Sequence, residues 1–203
     1  MSPETLSAEA LRGHFEGRLV RLEPLALAHA DGLRAAATDS DMFTWMPVDM
    51  ASSAAALSAW LTDSLAQAQA GDAVPYAILA ADSDRVLGST RFLELRFEHL
   101  RAEIGWSWVT RPAWGTGVNV ETKLLLLEHA FERAGLRRVE FKTDARNERS
   151  RWALLALGAS FEGILRTHMV VARGARRDSA YFSVIDQEWP AVKRQLQARL
   201  AAQ

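Results

Sequence analysis

Thr110-Arg111-Pro112-Ala113-Trp114-Gly115-Thr116-Gly117-Val118-Asn119 is the stretch on which the fold turns. Before it, Arg101 to Val109 reads as a strand. After it, Gly117 to Ala134 reads as a long apolar helix carrying Leu124, Leu125, Leu126, Leu127, Ala130 and Phe131, with Gly135 placed as its C′ residue. A glycine-containing turn between a strand and a helix start presents unpaired backbone N–H groups. Together with the positive end of the helix dipole, these make a site for phosphate. Gly115 and Gly117 allow the backbone to approach a ligand closely. The same short pattern also fits an ordinary tight turn.

Working outward, residues 1–15 read as a loose lead-in and residues 17–23 as a first strand closed by Pro24. Ala26 to Ala37 is helical in composition. A stronger helix runs over 52–70, with Ser52 and Ser53 as candidate caps and Gly71 as its stop. Strand candidates follow at 74–81, 85–97 and 101–109. Beyond the long helix come a strand at 138–143 and a helix at 147–157 capped by Asn147 and stopped by Gly158. Strands at 160–171 and 179–185 precede a C-terminal helix at 190–201 that opens on Pro190. The order β-α-α-β-β-β-α-β-α-β-β-α predicts an α/β (α+β) fold, a mixed sheet covered by helices, in a single domain over residues 1–203.

A chain of 203 residues can bury a substantial core without metal or disulfide staples. The net charge of −1 calls for neither nucleic acid nor an anionic membrane as partner. The absence of cysteine excludes disulfides, thiolate metal sites and an acyl-cysteine intermediate. Met1 to Arg12 lacks the basic start and apolar run of a signal peptide, and no run approaches the length of a membrane span. A cytoplasmic location is therefore expected. The five histidines (His14, His29, His99, His129, His168) are scattered outside any metal motif, so no metal is expected.

Three blocks, Arg111-Pro112-Ala113-Trp114-Gly115-Thr116-Gly117, Asp144-Ala145-Arg146-Asn147-Glu148-Arg149-Ser150, and Leu157-Gly158-Ala159 with Glu162-Gly163, occur in order at characteristic spacing. Over roughly residues 15–190 the chain resembles the GNAT superfamily of N-acetyltransferases, in the branch that includes the ribosomal-protein alanine N-acetyltransferases. The resemblance implies a mostly antiparallel sheet whose central parallel strands, here 102–109 and 138–143, splay to hold acetyl-coenzyme A. It implies that backbone groups near Trp108 and Val109 hold the acetyl and pantetheine end, and that Asn147 contacts the pantetheine arm. The pyrophosphate would lie on the amides of Trp114, Gly115, Thr116, Gly117, Val118 and Asn119. The superfamily motif Q/R-x-x-G-x-G/A is broken twice, by Trp114 in place of Gln or Arg and by Asn119 in place of a small residue.

Acetyl transfer to an amine requires a base for the ammonium and benefits from an acid for the departing thiolate. Glu103 resembles the family's strand glutamate. Alternation puts it on one face with Gly105, Ser107 and Val109, while the competing reading is an ion pair with Arg101 or Arg91. Glu94 and Glu98 are weaker candidates, and a water chain could serve instead. The position of the tyrosine acid common in the superfamily is Leu154. Ser150 matches the serine of the ribosomal-protein branch, and it also fits a helix N3 position. Asn147 is at once an N-cap and a candidate cofactor contact, and Arg146, Arg149 and Arg151 could face the cofactor's 3′-phosphate. Trp45, Trp60, Trp106, Trp108 and Trp152 read as core or cleft wall. The resemblance implies that the region of Met42, Phe43, Trp45 and Met46 lines the acceptor side, as an apolar acceptor wall.

The function this implies is an acetyl-CoA dependent N-acetyltransferase working by direct ternary-complex transfer. Its partner would be an amine acceptor, a protein N-terminus or a small molecule, and a homodimer is compatible with the sequence. Two alternatives stay open, a non-catalytic acyl-CoA-binding or regulatory module and an assembly protein.

Overall fold

The computed structural model describes residues 6–171 and 175–202. Its strands are β1 (Phe15–Glu16), β2 (Val20–Pro24), β3 (Val74–Ala80), β4 (Val86–Arg96), β5 (Arg101–Val109), β6 (Arg138–Asp144), β7 (Ser160–Val170) and β8 (Arg176–Ile185). The helices are α1 (Ala30–Ala36), α2 (Ala54–Ala70), α3 (Val118–Glu128), α4 (Glu148–Leu157) and α5 (Trp189–Ala201). One sheet runs β1-β2-β3-β4-β5-β6-β8-β7. Among the described residues every pairing is antiparallel except that of β5 with β6.

Helix boundaries follow local chemistry. Ser53 accepts the Ala56 amide at 3.0 Å to start α2, and Gly71 ends it in the left-handed region at φ 78°. Asn147 accepts the Ser150 amide at 3.1 Å to start α4, which Gly158 closes. After Glu128, α3 continues as a π-helical turn, His129–Arg133, before Gly135.

Helices cover both faces of the sheet. Beneath α3, α4 and α5, Leu126, Leu127, Phe141, Phe182 and Leu196 are almost wholly buried. Beneath α1 and α2, Leu33, Leu57, Trp60, Leu61 and Leu79 form the second cluster.

The lead-in is tied down where the structure describes it, contrary to a loose segment over 1–15; residues 1–5 lie outside the described residues. Leu11 is completely buried, its carbonyl accepts the Tyr76 hydroxyl, and Ala10 O lies 2.9 Å from His129 Nε2. An apolar side chain and two satisfied carbonyls hold this piece against the sheet. β8 also starts three residues earlier than its alternation suggested, because Arg176 and Arg177 pair across to Val170 and Met169.

Two irregularities shape the centre of the sheet. The β5–β6 ladder covers only Arg101/Arg138, Ala102/Val139 and Glu103/Glu140, after which the strands part. In β5, Trp106 sits at φ 50°, and the register against β4 jumps from Gly105/Arg91 to Trp108/Ser89. Three steps on β5 thus oppose two on β4, which is a β-bulge. Beyond it the faces exchange. Ile104 packs under α3, whereas Trp108 packs against Phe43 and Trp60 on the α1–α2 side.

Candidate active site

The parting of β5 from β6 opens a cleft of about 410 Å³. One end is the turn into α3. Thr116 Oγ1 donates to Ala113 O at 2.8 Å, Gly115 and Gly117 take φ 77° and 85°, and Gly117 is the N-cap. No side chain caps α3, so its first-turn amides remain available at the positive end of the dipole. A Cβ built on Gly115 would meet no atom within 4 Å, which leaves room for a ligand against the turn.

Gly115, Gly117 and Asn119 line the cleft together with Trp108, Val109 and Trp114. Thr116 and Val118 do not. The Thr116 hydroxyl turns back onto the loop and the Val118 side chain is in the core, so these two positions can offer only backbone. Trp114 closes this end as a platform. Its indole N–H donates to Val109 O at 2.9 Å, and the Arg149 and Arg111 guanidiniums lie 3.6 and 4.8 Å from its ring centroid.

Arg111 is neutralised by Asp39, whereas Arg149 has no ion pair among the described residues. Burial, followed by the repulsion of Arg111, pulls the Arg149 pKa down. Of Arg146, Arg149 and Arg151, only Arg149 lines the cleft. Arg146 is held by Asp144 at 2.9 and 2.8 Å, and Arg151 donates to Ala145 O. An uncapped helix start, an open glycine turn and an unpaired arginine fit a diphosphate.

Glu103 and Ser150 lie in the same cleft. Glu103 is only 2% exposed, and its partner is Lys142 on β6 at 3.0 Å. The competing pairing with Arg101 or Arg91 is not formed. Arg101 bonds Glu140 at 2.9 Å, and Arg91 reaches Gln67 and Ser64 between the rings of Trp60 and Trp106. Nor do Glu103 and Ser107 share a face, because the bulge at Trp106 turns Ser107 toward α3. Burial pushes the Glu103 carboxyl up, and Lys142 opposes that rise. Glu94 pairs with Arg96, Glu98 lies beside His99, and neither lines the cleft.

Ser150 donates its amide to the Asn147 side chain, and its hydroxyl has no partner among the described residues. Met42, Trp45 and Met46 form the opposite wall. Phe43 is core, and Trp152 is 69% exposed on α4, outside both core and cleft.

Sequence reasoning missed four cations here, one of them Arg199 on α5, which lines the cleft and donates to Ala156 O. Lys142 was hidden because its role depends on the parallel register with β5. Lys123 had a signal, a lone cation inside the apolar run of α3. It is buried, has no acidic partner among the described residues, donates to Ser107 and Thr90, and is pulled down to about 7 by desolvation. Arg177 on β8 is 6% exposed and also lines the cleft.

Among the described residues no helix is long and apolar enough to cross a membrane, and no group of three His, Asp or Glu is placed to hold a metal.

Comparison with known proteins agrees with this fold. The N-acetyltransferase p20 of Bacillus licheniformis, itself uncharacterized, is 32% identical over 119 residues, 59% of this chain and 66% of that protein. The chain thus spans just under two thirds of that curated relative. A crystal structure of a GCN5-related N-acetyltransferase from Brucella melitensis has a TM-score of 0.82 and 35% identity, covering 93% of this chain and 86% of that one. Mycobacterium smegmatis RimJ in complex with CoA-disulfide has a TM-score of 0.76 at 22% identity, over 92% and 93% of the two chains, and shares the fold. The acetyltransferase (GNAT) domain model matches residues 19–160, most of the chain, and the protein therefore belongs to the GNAT acetyltransferase family.

Proposed function

We propose that the protein moves an acetyl group from acetyl-CoA to a primary amine by direct attack within one ternary complex. The observation that carries this reading is the continuity of one cleft. It runs from the uncapped start of α3 to the buried Glu103–Lys142 pair, through the gap between β5 and β6.

The first-turn amides of α3 and Arg149 hold the diphosphate. Trp108, Val109 and Asn147 border the path of the pantetheine arm, whose acetyl group ends near the bulge in β5. Glu103 takes the proton from the acceptor's ammonium, directly or through a water. The freed amine nitrogen attacks the thioester carbonyl carbon, a C–N bond forms, the C–S bond breaks, and the thiolate leaves. Ser150 relays toward that sulfur the second proton, which the nitrogen sheds on becoming an amide, the chemistry its unengaged hydroxyl permits. With no cysteine in the chain, no acyl-cysteine step intervenes.

The same lack of cysteine makes the assay clean, because a thiol reagent reports only released CoA. Calorimetry is expected to show saturable binding of CoA and acetyl-CoA, and an amine panel is expected to show acceptor-dependent thiol release. Binding without turnover on any amine would point instead to a non-catalytic acyl-CoA module. No heat with either form of CoA would end the reading altogether.

A further inference from the structure

Arg177 stands out among the charges bordering the cleft. As a residue it is 6% exposed, and among the described residues its Nε has no hydrogen-bond partner and Nη1 reaches only the Trp45 carbonyl at 3.4 Å. The nearby carboxylates are already engaged. Asp144 holds Arg146 in a two-pronged pair, and Glu103 holds Lys142. Arg177 therefore keeps a full positive charge and most of its five N–H donors uncommitted among the described residues. A buried, unpaired guanidinium is costly to maintain, and it is stabilised by a planar anion that accepts two parallel hydrogen bonds.

The position narrows the anion. Arg177 lies on β8 opposite Met169, facing Trp45 on the wall formed by Met42 and Met46, at the acceptor side of the cleft. The cofactor's phosphates belong at the other end, over the start of α3, where Arg149 supplies their charge. Glu103 is close enough to Arg177 for the two charges to interact. The acceptor end thus pairs a carboxylate suited to an ammonium with a free guanidinium suited to a carboxylate. A molecule carrying both groups satisfies both.

We propose that Arg177 is a specificity-determining residue that receives the carboxylate of the amine acceptor, so that the acceptors are free amino acids or closely related amino-carboxylates. This inference rests on the acetyl-transfer reading above and deepens it. The backbone at a protein N-terminus has no α-carboxylate and would present only neutral carbonyls to Arg177, leaving its charge unmatched.

The test compares each proteinogenic amino acid except cysteine with its own α-amide, following thiol release from acetyl-CoA. The favoured acid is expected to exceed its amide at least about tenfold in kcat/KM, with the difference carried mainly by KM. In Arg177→Gln the acid and amide are expected to converge to within about twofold, and Arg177→Lys to retain part of the preference. Acetyl-CoA affinity by calorimetry is expected to be unchanged in both variants. Equal kcat/KM for acid and amide in the wild-type protein would overturn the proposal without recourse to any variant. So would a preference that survives in Arg177→Gln. A protein that binds acetyl-CoA but acetylates neither acids nor amides would overturn the acceptor assignment and leave the cofactor reading intact. Loss of acetyl-CoA binding itself would remove the foundation of both.

Discussion

Glu103 carries its charge in surroundings that favour the neutral form, and Lys142 at 3.0 Å is what opposes this. A base raised above the ordinary carboxylate range is better matched to a proton held by an amine, yet must be ionised to accept it. The acid limb of the kcat/KM profile is therefore expected above the usual glutamate value. Activity should fall as pH drops through the raised pKa and Glu103 takes up its proton. Glu103→Gln should remove that limb and lower the rate on the order of 10²-fold or more. A variant that kept the limb would show that another group carries the proton.

Lys123 presents the opposite case. Desolvation brings its pKa to about 7, against 10.5 in the unfolded chain. The unfolded state binds more protons than the native state between these values, so this group makes stability rise with pH across that window. Below about 7 both states are protonated and the cost of burying the charge is complete. Lys123→Met is expected to be more stable than wild type by more than about 1 kcal/mol near pH 6.5. The gain should shrink toward pH 10 in urea titrations. Thr90 and Ser107 keep each other as partners at 2.7 Å when the ammonium is removed.

At the level of elements, α3 is anchored at its first turn by a carboxylate that reaches another strand. Glu121 accepts the amides of Arg18, Leu19 and Val20 at 2.9, 2.6 and 2.9 Å, fixing the start of β2. Gly17 is the close approach that permits this, because a Cβ there would lie 2.5 Å from the Glu121 carboxyl carbon. Glu121→Ala would strand these donors and is expected to cost about 3 kcal/mol, read from denaturant midpoints.

Gly117 tests the other role of the same turn. Alanine at φ 85° is strained by about 1 kcal/mol, and relief of that strain rotates the amides over the cleft. Gly117→Ala should weaken acetyl-CoA binding. Gly71→Ala, at φ 78° on the end of α2, should lose similar stability without affecting binding.

Most of these elements were legible in the sequence because their signals are local. Ser53, Gly71, Asn147 and Gly158 mark helix ends through chemistry within a few residues. The bulge at Trp106 was not read, since its one local mark is Gly105, an isolated glycine inside the strand, and the alternation around it looks regular. The bulge is defined only by the partner strand β4. Glu103's true partner was hidden for the same reason, as Lys142 comes beside it only through the parallel register. The lead-in looked loose because one buried leucine and two carbonyl contacts make no periodic pattern.

For the molecule as a whole, the consequential feature is where the sheet stops being continuous. Exposed strand edges normally lie at the periphery, where they invite pairing with other chains. Here β5 and β6 separate after Glu103 and Glu140, so the sheet has an additional edge in its interior. Trp114 and the Met42–Met46 segment wall it in. Backbone hydrogens along that recessed rim are expected to exchange with deuterium sooner than those of the β3–β4 ladder, and to slow when acetyl-CoA is added. An occupant must be narrow and extended to enter such a slot, and another sheet cannot follow it in. A gap shaped for a slender, flexible occupant is thereby also a guard against aggregation.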